Sequence, residues 1–235
     1  MRRLLALASA TALALSLGAC ATDVDDEPVS DDEAAVRERY DIHQLLTDDD
    51  LRGGRAITVA DVQGFLESKG SYLARYEDPR SGKSAAEIIH AACTRYEINP
   101  VYMLARIQVE SSLVGSGRSR GLDTATGCAC PDGGGCASGE SGFAKQIDCA
   151  GRLTSAYFDE IAERGVTRAG WGVGVSKRTL DPCSVKPKNK ATAVIYTYTP
   201  WVGTRGQQCS SNGSSGSTTL VSIYKSYARA FSAGG

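Results

Sequence analysis

The stretch INPVYMLARIQVESSLVG, residues 98–115, decides how the rest of the chain is read. Asn99 can cap a helix, and Pro100 suits the first helical position, where its missing N–H is no loss. Val101, Leu104, Ala105, Val109 and Leu113 then fall on one broad stripe, with Met103, Ile107 and Glu110 on the neighbouring one. A helix apolar over so much of its girth belongs at the centre of a core. Glu110 near its end is either a solvated helix terminus or a chemically useful acid. Desolvation and the negative end of a helix dipole both favour the protonated form of a carboxyl, the form a general acid needs.

The flanking segments are also helical in pattern. Thr58 is a candidate N-cap before Val62, Phe65 and Leu66. Ser84 and Glu87 form a capping-box pair ahead of Ile88, Ile89, Ala92 and Tyr96, with His90 on the outer face. Residues 142–165 read as a helix with Ile147, Leu153, Tyr157, Phe158 and Ile161 inward. Residues 189–199 form a helix stopped by Pro200, and residues 218–231 a last amphipathic one. A short ribbon near Val173–Val175 is the one strand-like feature, so the fold class is mainly α. Residues 115–142 are rich in Gly, Ser and Cys, and loops of that length in a compact domain usually carry function or disorder.

The chain opens with two arginines, a short apolar run and small residues closing on Cys20. That pattern is a secretory signal over residues 1–19, too short to span a membrane. LGAC at residues 17–20 resembles a bacterial lipobox, which implies a lipid on Cys20 and a membrane anchor. Ala21 follows, where an aspartate would resemble an inner-membrane retention signal. The expected location is therefore the outer membrane or cell surface. Residues 21–50 hold twelve acidic residues against two arginines. Like charges at that density read as a disordered tether, making residues 20–50 the anchor and spacer and residues 51–235 the folded domain. The whole chain is near neutral, at −1, but the domain from residue 51 is about +7, which suits an anionic polymer such as the cell wall.

Seven cysteines remain beyond Cys20, and export favours disulfides over metal ligation. The expected pairs are Cys130–Cys136 around a glycine turn, Cys128–Cys149 tying the loop to the next helix, and Cys183–Cys209. Cys93, on an apolar helix face, is left over as a buried thiol. CACPDGGGC, residues 128–136, lacks the second ligand pair of a zinc site. No metal, cofactor or nucleic-acid partner is expected.

Several segments, in order, resemble the lysozyme-like superfamily, in particular lytic transglycosylases and related bacterial cell-wall hydrolases. The helix over residues 98–108 leads into Glu110–Ser111. The loop ends in GFAKQI, residues 142–147, similar to the family's glycine–apolar–x–glutamine–apolar segment. NKATAVIYTY, residues 189–198, is similar to a small-residue helix ending in a substrate-facing tyrosine. Residues 65–74, 125–136 and 220–231 resemble a secreted branch of the superfamily, and the resemblance covers roughly residues 57–232. It implies a lysozyme-like helical domain that cleaves peptidoglycan glycan strands, as a muramidase or a lytic transglycosylase, with Glu110 as the single general acid. Ser111 would orient the acid or the substrate's acetamido group, Gln146 would hydrogen-bond in the cleft, and Tyr196, or else Tyr198, would meet a sugar. The string GLMQ is absent, and Asp123, Asp132, Glu140 and Asp148 are the loop carboxylates from which a second acid could come. A non-catalytic wall-binding lipoprotein on the same fold is the alternative.

Overall fold

The computed structural model describes residues 40–130, 135–203 and 216–233. The signal segment, Cys20 and most of the expected tether lie outside the described residues, as do Asp132 and Cys209. Seven α-helices run through the described chain: α1 Asp48–Arg52, α2 Val59–Ser68, α3 Ala85–Tyr96, α4 Pro100–Ser111, α5 Phe143–Arg164, α6 Lys190–Tyr198 and α7 Ser217–Ala233. Two 3₁₀ turns, at Tyr72–Arg75 and Leu122–Thr124, sit between them. One antiparallel ribbon pairs β1 Lys177–Arg178 with β2 Ser184–Val185. The expected mainly α class is thus observed, and the ribbon lies a few residues later than expected.

Local chemistry sets the helix ends. Thr58 and Ser84 each accept a hydrogen bond from the backbone N–H three residues on, and Asp61 and Glu87 return one, completing capping boxes. Asn99 caps α4 with Pro100 in its first turn, as its sequence requires. Helix α4 is buried continuously from Pro100 to Ile107 and packs against α7, while α3 packs on α5. The α3–α5 contact depends on Gly151, where a Cβ would sit 2.6 Å from the Tyr96 ring. Leu153 is only partly buried, but Ile147, Tyr157, Phe158 and Ile161 join the core as expected.

The folded domain begins before residue 51. Tyr40, Ile42, Leu45, Leu46 and Leu51 are all core residues. Their segment is stitched to α6: Tyr196 Oη donates to Ile42 O at 3.0 Å, Leu45 N to Thr192 Oγ1 at 3.0 Å, and Ala191 N to Asp48 Oδ1 at 2.7 Å. The acidic residues 41–50 belong to the folded domain and not to a tether. Three of the four aspartates there lie in the first turn of α1, where the helix dipole favours negative charge. From residue 40 on, the chain carries 22 basic and 19 acidic residues, so the domain is far less basic than the later boundary implied.

Two expected disulfides form. Cys128–Cys149 has its Cα atoms 6.0 Å apart and Cys130–Cys136 has them 3.9 Å apart. Cys183 is disulfide-bonded, and its expected partner Cys209 lies outside the described residues. Cys93 is a free, buried thiol, and burial pushes its ionisation well above the usual thiol range.

Candidate functional site

Glu110 occupies the last turn of α4, where the helix leaves the core. The residue as a whole is exposed through its backbone, while its side chain is 27 % exposed. Its wall is not purely apolar. One turn earlier lies Arg106, 1 % exposed, whose Nη1 donates to Glu110 Oε1 at 3.1 Å and to Thr199 Oγ1 at 2.7 Å. Arg106 Nη2 donates to the Tyr102 hydroxyl at 3.0 Å, and the Tyr198 ring lies 4.1 Å from the guanidinium carbon. Burial opposes the charge of Arg106, but the Tyr102 hydroxyl, the Glu110 carboxylate and Tyr198 together hold it more firmly protonated than usual. Its Nε is buried without a hydrogen-bond partner.

The other carboxylate oxygen of Glu110, Oε2, faces Gly127. A Cβ built on Gly127 would sit 3.2 Å from it, and the residue's φ of +65° is a conformation glycine adopts freely. Glycine at this position lets the loop backbone close over the acid without covering it by a side chain.

Three of the expected site residues hold that loop in place. Gln146 is fully buried rather than open to a cleft. Its Oε1 accepts from Thr126 N at 3.3 Å and Cys128 N at 3.1 Å, and its Nε2 donates to Cys128 O at 2.8 Å and Glu140 O at 2.7 Å. Direct contact with a sugar is closed to it, because every hydrogen-bonding group of its amide is engaged. Ser111 Oγ lies 2.8 Å from Ile107 O and 2.9 Å from Ala125 O, so its one hydrogen is shared between the helix and the loop. Tyr198 Oη donates to Thr126 O at 2.9 Å, and burial pushes its phenol ionisation up.

Tyr196, the first choice for the sugar-facing tyrosine, is fully buried and stacks on Trp171 with ring centroids 5.1 Å apart. Residues two apart on a helix point about 200° apart, so only one of the two tyrosines can face the Glu110 cluster. That one is Tyr198. Arg106, Tyr102, Thr199 and Gly127 were not anticipated. The i, i+4 spacing of Arg106 and Glu110 on an otherwise apolar helix was the available signal.

The loop carboxylates separate clearly. Asp148 pairs with Arg95 at 3.0 Å, and Glu140 pairs with Arg152 at 3.1 Å. Asp123 lines a groove of about 1160 Å³, together with Tyr76, Asp78, Arg120 and Lys145. Burial and the Asp78 carboxylate push the Tyr76 phenol up to about 12. The groove reaches Gly121, where a Cβ would meet Ser111 Cβ at 3.0 Å, but Glu110 is not among its lining residues. Among the described residues no cluster of His, Cys, Asp and Glu is placed to hold a metal ion. Comparison with known proteins finds no matching family model, curated protein or solved structure.

Proposed function

We propose that the protein is an exported, lysozyme-like enzyme that cuts peptidoglycan glycan strands between N-acetylmuramic acid and N-acetylglucosamine. Glu110 acts as the general acid. The observation that carries this reading is Arg106: a guanidinium buried to 1 % exposure beside a carboxylate that still reaches solvent. Burying an arginine costs several kcal/mol before pairing, and apolar residues of similar volume often serve stability as well or better. Such a residue is better explained by the group it positions. Arg106 fixes Oε1 of Glu110, which leaves Oε2, under Gly127, as the oxygen that takes up a proton from solvent and then passes it to the glycosidic oxygen. Tyr198 is the aromatic available to the sugar, while Ser111 and Gln146 set the position of the loop above the acid. The ordered resemblance to cell-wall hydrolases and the disulfides of an oxidising compartment support the same reading, with a lipid on Cys20 as the anchor.

A second reading has its own support. Gln146 and Tyr196 are closed off, and the large groove does not contain Glu110. Both facts suit a non-catalytic wall-binding lipoprotein. Incubating the protein with purified peptidoglycan and weighing the released fragments by mass spectrometry separates the two. Reducing-end fragments indicate hydrolysis and anhydro-sugar fragments indicate transglycosylation. Co-sedimentation with peptidoglycan that releases no fragments would remove the enzymatic reading and leave the binding one.

A further inference from the structure

The large apolar side chains exposed among the described residues are Val173 at 45 %, Val175 at 39 % and Leu180 at 62 %. Scattered single apolar residues on a surface need no explanation, but these fall within eight residues of one another. Val173 and Val175 precede β1, and Leu180 lies in the turn between β1 and β2. From Thr179 to Lys188 burial alternates strictly: odd positions are buried and even positions exposed. Leu180 is turned outward from the bend between the two strands, and Lys186 and Lys188 are turned outward from the residues after β2. The Val173–Val175 turn is held against the residues that follow β2, at the open end of the ribbon, because Gly174 N donates to Pro187 O at 2.8 Å.

The charges around this face are mostly positive. Lys186 and Arg178 have no carboxylate partner among the described residues. Of the neighbouring carboxylates, Asp41 pairs with Lys188 at 2.6 Å. Asp181 turns inward to accept the N–H groups of Val202 and Gly203, and these bonds hold its ionisation below the ordinary range although burial opposes them. The chain also joins the domain at this edge. Lys188 N donates to His43 O at 2.8 Å and Lys186 N to His43 Nδ1 at 3.0 Å. Tyr40, the first described residue, is therefore only a few positions from the ribbon, and twenty positions from Cys20.

We propose that this ribbon is a membrane-docking face. Val173, Val175 and Leu180 enter the headgroup region of a bilayer, and Arg178 and Lys186 meet anionic lipid phosphates, Lys188 being already paired with Asp41. Twenty positions separate Cys20 from Tyr40, so a lipid on Cys20 would tether the domain by this edge. That orientation rests on the lipid-anchor reading; the docking chemistry does not. A glycan polymer offers mainly hydroxyls and little for exposed valine and leucine side chains to bury against, so the bilayer is the better fit. Three apolar side chains and two unpaired cations give weak, reversible binding that reinforces an anchor.

The test uses the chain from residue 21, which contains every described residue and neither signal nor lipid. It is sedimented with vesicles of equal parts phosphatidylglycerol and phosphatidylcholine, with pure phosphatidylcholine vesicles, and with purified peptidoglycan. Binding to the anionic vesicles should be about tenfold stronger than to the neutral ones and should weaken with salt. Val173→Ser/Val175→Ser/Leu180→Ser should lower it about tenfold without moving the thermal midpoint, since all three side chains are exposed. Lys186→Glu should lower it severalfold at low salt. Absent vesicle binding by the unsubstituted chain, or unchanged binding by the triple variant, overturns the proposal. So does sensitivity of peptidoglycan binding, rather than vesicle binding, to the triple substitution. Vesicle binding with no peptidoglycan cleavage would uphold this face while removing the proposed enzyme.

Discussion

Two polar side chains meet the loop at residues 125–128, and they are treated very differently. Gln146 holds the loop by its backbone groups. It is fully buried, and both ends of its amide are engaged by backbone groups. Glu110 meets the loop from the helix end with one oxygen fixed by Arg106 and the other left beside Gly127. Polar groups that serve stability are normally saturated with partners. Spare capacity in a group held by a buried guanidinium marks a place where a ligand's atoms are expected.

The sharpest way to break this contrast is Glu110→Gln. The amide can still accept from Arg106, so the melting temperature should hardly move. Peptidoglycan turnover should fall by about 10²–10⁴, the usual contribution of a general acid. Turnover near that of the unsubstituted protein would take the acid role from Glu110. Gln146→Leu should do the reverse. It leaves buried loop N–H and C=O groups unsatisfied and should cost about 3 kcal/mol in denaturant unfolding, with activity lost only as the loop loosens. A stability unchanged within error would mean that solvent or another group already satisfies the loop.

Arg106→Met sits between these two. It should cost about 1–2 kcal/mol, chiefly by stripping the Tyr102 hydroxyl of its donor, and adding Tyr102→Phe should recover much of that loss. Recovery of stability without recovery of activity is the expected pattern in a double-mutant cycle. Recovery of both would reduce Arg106 to a packing residue. The smallest effects come from the tyrosines. Tyr196→Phe and Tyr198→Phe each remove one hydrogen bond and should each cost about 1 kcal/mol. Only Tyr198→Phe should also change the KM for peptidoglycan. A KM change confined to Tyr196→Phe would mean that the cleft lies on the Trp171 side of α6.

Much of this frame is legible in individual residues. The caps at Thr58, Ser84 and Asn99 are local chemistry, settled by side chains within three positions of the backbone groups they serve. The pairs Cys130–Cys136 and Cys128–Cys149 follow a loop closed on itself and on the next helix, and Cys93 is left over on an apolar face. The start of the domain was less legible. The charge density of residues 21–50 suggests a uniform tether, whereas Tyr40, Ile42, Leu45 and Leu46 are anchored by groups on α6 that lie about 150 positions away.

The sequence by itself determines the mainly helical class, the helix ends, the central place of α4 and the position of Glu110 near its exit. Each of these depends on periodicity or on neighbours along the chain. Tertiary structure alone decides that Gln146 faces inward, that Tyr198 rather than Tyr196 lies over Arg106, and that the Val173–Leu180 ribbon shares an edge with the incoming chain. In those cases the deciding partners, Thr126, Thr199 and His43, are distant in sequence. What a side chain does there depends on the packing that brings them together.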